Sequence, residues 1–173
     1  MLATPTFKTH LKLGTLVLVL LLLTACELDL VDSGNDTALL PDGDLAQVVQ
    51  VIDGDTIDVR LLTDGLIYRV RYIGINTPER ADVCFAEATA ANELLVDGQT
   101  VLLVKDVSEV DRFERLLRYV YVGNTFVNAQ LVADGWAESV HYPPDTTHND
   151  FFDGLQAGAR NLGLGCWPTG VFD

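Results

Sequence analysis

The stretch from Val51 to Arg80, VIDGDTIDVRLLTDGLIYRVRYIGINTPER, constrains the fold more than any other part of the chain. Apolar, strand-like runs there alternate with turns rich in Asp and Gly, so the chain doubles back as antiparallel strands. Ala46 to Ile52 reads as one strand and Thr56 to Leu62 as a second, with the reversal at Asp53-Gly54. Thr63-Asp64-Gly65 turns into a third strand from Leu66 to Ile73. Pro78 ends the pairing, because it has no N–H to offer a ladder. Glu87 to Val96 is rich in helix formers and has Gly98 as its stop. Thr100 to Lys105 and Leu117 to Val122 read as two more strands, and Phe126 to Asp134 as a short helix ending at Gly135. A last helix is expected over Thr147 to Leu162, with Thr146 or Thr147 as N-cap and Gly163 as stop. The result is an α+β chain, mainly β, with five strands and about three helices. That order suits a small Greek-key barrel such as the OB-fold.

The first residues carry a different signal. Lys8 and Lys12 precede an uncharged apolar run from Leu13 to Leu23, too short to span a bilayer but fitting the core of a signal peptide. Leu23-Thr24-Ala25-Cys26 then resembles a bacterial lipoprotein signal, with cleavage before Cys26 and lipid on its sulfur. An ordinary signal peptide with a chance cysteine, or an uncleaved anchor, is the competing reading. The expectation is a lipoprotein signal peptide over 1–25, a flexible acidic tether over 26–44 and a folded domain over 45–173. The tether's Asp residues lack the EF-hand spacing and its terminal Glu, which argues against a calcium loop there. The expected location is extracytoplasmic, anchored by lipid to the bacterial cell envelope. Disulfides persist in such a compartment, so Cys84 and Cys166 are expected to pair. With no His pair beside them, they argue against a zinc site.

Charge weighs against loose nucleic-acid binding. The chain has 11 Lys and Arg against 25 Asp and Glu, a net −14, and phosphate neutralisation needs cations. A small cationic site within an acidic surface is still consistent with this balance, above all beside a metal ion. The candidate residues for one sit at the strand ends. Asp55 offers a carboxylate, Asn76 an amide oxygen and Thr77 a main-chain carbonyl, all hard donors of the kind a divalent cation takes. Glu79, just past the proline, is a candidate general base. Arg71 and Arg115 carry forked donors that suit phosphate oxygens. Strand alternation puts Arg71 and Asn76 on opposite faces, so a twist or bulge near Gly74 is needed to bring them together. Taken singly, each piece has an ordinary reading: a turn, a surface charge, a solvated cluster at Arg112, Glu114, Arg115 and Arg118. His141 and His148 are read as structural, and Phe113 and Tyr142 as rim aromatics able to stack on a base.

The combination is more specific. VIDGDTIDV, RVRYIGINTPE, DRFERLLRYVYV, FVNAQLVADGWAES and the stretch around TTH, in this order and spacing, resemble the staphylococcal nuclease (thermonuclease) family from about Leu45 to Trp167. The resemblance implies an OB-fold barrel with three helices, calcium as cofactor, and hydrolysis of DNA and RNA to leave 3′-phosphate ends. It puts Asp55 in the place of a calcium-binding aspartate, Asn76 in the place of a second, and gives the Thr77 carbonyl to the ion. Glu79 matches the general base, and Arg71 and Arg115 match two arginines that grip the reacting phosphate. Arg112, Phe113 and Tyr142 match positions on the nucleotide-binding rim, where Val140 replaces a further tyrosine. Asn76 retains a coordinating oxygen but not the charge, which lowers the ion affinity implied. The expectation is a monomeric, lipid-anchored, calcium-dependent nuclease acting on DNA, RNA or both. The competing class is an OB-fold module that binds nucleic acid or protein without cleaving it.

Overall fold

Alternation in the first three strands sends one set of side chains inward, and that set builds the barrel. The computed structural model describes residues 41–173. The expected lipoprotein signal, Cys26 and nearly all of the expected tether lie outside the described residues. Strands β1 (Asp44–Val51), β2 (Thr56–Leu61) and β3 (Ile67–Tyr72) form the expected antiparallel meander. Ala46 and Val48 of β1, Ile57 and Val59 of β2, and Val70 and Tyr72 of β3 are all buried. Between them, Asp58 faces outward and pairs across the ladder with Arg69 at 2.8 Å. Val49 is the extra residue of a bulge in β1, where the register against β2 shifts between Val48 and Gln50.

A two-residue strand, β4 (Ile75–Asn76), follows, and then helix α1 (Phe85–Val96), which starts earlier than Glu87. Ala88, Asn92 and Val96 recur at four-residue spacing on its buried face. β5 (Thr100–Val104) pairs antiparallel with β1 and with β6 (Leu116–Val122). β6 also pairs parallel with β3, Val70 opposite Leu116 and Arg71 opposite Leu117. That last ladder closes five strands into an OB-fold barrel. The closure also sets Arg71 on the strand beside the loop that carries Arg115.

β7 (Thr125–Phe126) extends the β6 hairpin, and α2 (Val127–Ala133) begins one residue after the expected Phe126. β8 (Glu138–Ser139) pairs with β4 in a separate two-stranded ribbon that neither segment's sequence announces. The last helix, α3 (Asn149–Leu162), corrects the expected N-cap. His148 holds that position without a side-chain cap bond. The Thr147 hydroxyl and N–H both go to Asp106 instead, at 2.8 and 3.0 Å. A long-range carboxylate has outcompeted the local helix N–H groups for that threonine. Gly163 ends the helix in the left-handed conformation, as expected. Cys84, before α1, and Cys166, after α3, form the expected disulfide.

Candidate active site

The Asp53-Gly54-Asp55 turn is built so that Asp55 points inward. Asp53 Oδ1 accepts the Asp55 N–H at 3.1 Å, an Asx turn. Gly54 packs against Thr77, where an added Cβ would lie 2.7 Å from the Thr77 Cγ2. The absence of a side chain therefore lets the turn press on the 76–77 segment. Asp55 is only 4 % exposed. Its Oδ2 accepts the Thr77 N–H at 2.9 Å and the Thr77 hydroxyl at 3.1 Å, and its Oδ1 accepts the Thr56 hydroxyl at 3.1 Å. Burial pushes this carboxyl up to about 6, against the pull of the neighbouring Arg71 and with a further push from Asp53.

Arg71 is the hub. Its Nη1 donates to the carbonyls of Tyr72 and Ile75, both at 2.9 Å. Its Nη2 lies 3.0 Å from Asp55 Oδ2 and 3.1 Å from Asn76 Oδ1. Strict alternation would separate Arg71 from Asn76, and the anticipated break is at Gly74. There φ is +77°, and an added Cβ would meet the Phe152 ring at 2.7 Å. The left-handed residue turns the strand so that the Ile75 carbonyl and the Asn76 side chain swing back over the guanidinium. Asn76 Nδ2 then faces outward and donates to Glu138 Oε1 at 3.2 Å across the β4–β8 pair.

On its other side Arg71 lines a cleft of about 480 Å³, shared with Arg115, Arg112, Phe113, Tyr142 and Asp111. Asp111 organises the loop: its Oδ1 accepts the N–H groups of Phe113 and Arg115, at 2.8 and 3.0 Å. Its Oδ2 takes the Arg115 guanidinium, Nε at 2.7 Å and Nη2 at 2.6 Å. Burial pushes the Asp111 carboxyl up, but those N–H groups and the Arg115 charge outweigh it and hold it low. Phe113 is 63 % and Tyr142 62 % exposed, so both rings present open faces for stacking. Arg112 stacks on the Phe113 ring, 4.6 Å from its centroid. Val140, at the position lacking a tyrosine, is half-buried.

Glu79 stands apart from this network. It is exposed, its N–H donates to Asp82 Oδ2 at 2.9 Å, and no hydrogen bond ties its carboxylate to Asp55, Arg71 or Arg115 among the described residues. Arg118, read from sequence as part of a solvated cluster, is buried and bonded to the Glu109 and Leu117 carbonyls and the Glu109 carboxylate. His148 packs against Tyr119, Phe126 and Phe152, and His141 pairs with Asp153 at 3.0 Å.

Sequence reasoning missed the residues that hold the site in shape. Asn92 of α1 donates to the Asp53 carbonyl at 2.9 Å and accepts from Tyr72 Oη at 3.0 Å. Asn128 of α2 donates to the Ile73 carbonyl and accepts from the Val120 N–H, both at 2.9 Å. Both asparagines are fully buried. No local signal marks them, because their helices carry other polar residues and the carbonyls they hold are distant in sequence. Asp145 was missed too: its Oδ1 accepts the N–H groups of Val107 and Ser108, at 2.9 and 2.7 Å, and so shapes one wall of the cleft.

Comparison with known proteins identifies the family. The family model described as "Staphylococcal nuclease homologue" matches residues 69–169, which carry both arginines, Asn76 and Glu79. The protein named "Thermonuclease" of Staphylococcus hyicus is 32 % identical over 129 residues, covering 71 % of this chain and 75 % of that protein. The "Thermonuclease" of Staphylococcus intermedius is 33 % identical over 131 residues, covering 72 % and 77 %. The "Micrococcal nuclease" of Shigella flexneri is 32 % identical over 130 residues, covering 70 % and 72 %. The chain belongs to the staphylococcal nuclease family.

For a member of this generally metal-dependent family, the question is whether the residues here fit a cation. Asp55 Oδ1, with one hydroxyl donor, retains lone pairs, and no hydrogen bond engages the Thr77 carbonyl among the described residues. The Asp55 and Asn76 oxygens already converge on one cationic atom, Arg71 Nη2. Such an all-oxygen set suits a hard ion. Among the described residues no three His, Cys, Asp or Glu side chains cluster as metal ligands, so amide and main-chain oxygens must supplement the single direct carboxylate.

Proposed function

We propose that the chain is a calcium-dependent nuclease that hydrolyses phosphodiester bonds of DNA, RNA or both and leaves 3′-phosphate ends. The observation that carries this reading is the double-sided position of Arg71. One guanidinium contacts the Asp55 and Asn76 oxygens and also lines the cleft it shares with Arg115. A phosphodiester entering that cleft meets two forked cations next to a hard-oxygen set. The relatives' names, thermonuclease, micrococcal nuclease and endonuclease, support the reaction class.

Calcium held by Asp55, Asn76 and the Thr77 carbonyl would act as a Lewis acid on a phosphoryl oxygen. Glu79 removes a proton from the attacking water. The water oxygen bonds to phosphorus, the bond from phosphorus to the 5′ oxygen breaks, that oxygen takes a proton from solvent to become a hydroxyl, and the phosphate stays on the 3′ side. Arg71 and Arg115 stabilise charge building on the phosphoryl oxygens, commonly a few kcal/mol per donor. Arg115 does so by sharing its guanidinium between Asp111 and the phosphate. Phe113 and Tyr142 stack on bases and Arg112 adds a backbone contact, which gives broad sequence tolerance. Lipid on Cys26 holds the enzyme, as a monomer, to the outside of the cytoplasmic compartment.

The test is cleavage of end-labelled denatured DNA and of RNA across a calcium titration and in EGTA. Calcium-dependent cleavage with 3′-phosphate products is expected, and cleavage that persists in EGTA contradicts the reading. Two observations favour a second reading, an OB-fold module that binds without cleaving: the neutral Asn76, and the engagement of Arg115 Nε and Nη2 by Asp111. Strand binding with no cleavage at any calcium level would establish it.

A further inference from the structure

The proposed cation site is short of charge. Its direct ligands include one carboxylate, Asp55, and that charge already faces the Arg71 guanidinium at 3.0 Å. Asn76 adds an oxygen but no charge. A divalent ion in such surroundings needs another anion to offset its lost hydration. Asp53 stands behind Asp55 in the turn, and on the Asn76 side the carboxylate is Glu138 on β8, directly opposite Asn76 in the β4–β8 pair. Among the described residues its carboxylate has one hydrogen-bond partner, Asn76 Nδ2, at 3.2 Å, and no ion pair. It is half-buried, so its charge is only partly screened.

The same bond fixes which way the amide points. Arg71 only donates, so the Asn76 atom facing it is the oxygen, and the NH₂ group faces the acceptor Glu138. Each partner enforces the orientation that the other requires. We propose that Glu138 is a positioning residue for the cation site: it holds the Asn76 oxygen toward the ion and supplies, through that hydrogen bond, the negative charge the amide lacks. This rests on the nuclease reading and names a residue of the same site.

The test is calcium binding by the full chain, measured by titration calorimetry, with thermal unfolding in EGTA as a control. Glu138→Gln can still accept from Asn76, so it removes charge alone. We expect it to bind calcium about tenfold or more weakly, as for other outer-sphere partners of metal ligands. Its unfolding temperature in EGTA should match the parent's. The double variant Asn76→Asp with Glu138→Gln exchanges amide and carboxylate across the pair, each isosterically, and should restore the affinity. If the parent binds calcium and Glu138→Gln binds it equally well, the role of Glu138 is overturned and the nuclease reading stands. If the parent binds no calcium, both fall.

Discussion

At the scale of single residues, Asp55 and Arg71 are each held by several neighbours. Asp55 shows the cost. Its folded carboxyl keeps a proton up to about pH 6, whereas the unfolded one releases it near 3.8. Unfolding therefore releases a proton between those values, so stability falls as pH rises through that window. Above that window the buried charge opposes folding. Asp55→Asn should then be more stable than the parent in EGTA at pH 8, with the advantage shrinking toward pH 5, and should no longer be stabilised by calcium. Chemical denaturation at the two pH values checks this. Arg71→Lys is predicted to slow cleavage about a hundredfold. A lysine ammonium has three donors on one atom and cannot serve two carbonyls, Asp55 and Asn76 with the geometry of a fork. Single-turnover cleavage at saturating calcium measures it.

At the scale of elements, the break between β3 and β4 decides whether the site exists. Gly74→Ala forces a left-handed alanine and drives its methyl into the Phe152 ring. The expected loss is about 2 kcal/mol or more in urea unfolding. Calcium affinity should fall as well, because Asn76 moves off Arg71; unchanged affinity would show that Gly74 serves packing alone. The meander, helices and barrel were legible because β-branched alternation and Asp-Gly turns carry local information: Ile57, Val59, Val70 and Tyr72 face inward as their spacing requires. The need for a break near Gly74 was legible for the same reason. The β4–β8 ribbon was not, since Glu138-Ser139 is too short to show a period. The capping of α3 was misread because Asp106, far away in sequence, claims Thr147. The bonds of Asn92, Asn128 and Asp145 are long-range too, and no local pattern encodes them.

At the scale of the whole molecule, the Cys84–Cys166 bridge spans 82 residues and joins the segment before α1 to the tail after α3. Cross-links over such loops restrict the unfolded chain, and replacing both cysteines with serine should cost about 2–5 kcal/mol in denaturant unfolding. Activity below the transition should change little, because neither sulfur reaches the cleft residues. The chain carries a net −14, and both cleft arginines are already paired with aspartates. On the proposed reading, substrate binding depends on the cleft and its cation, not on a diffuse positive field. The central claim is that this cleft cleaves with Glu79 as base, and the direct measurement is the rate at which the full chain and Glu79→Gln cut denatured DNA in millimolar calcium and in EGTA. The account predicts rapid cutting by the parent in calcium only, and loss of most of that rate in a folded Glu79→Gln. Near-parental cutting by the variant would contradict it.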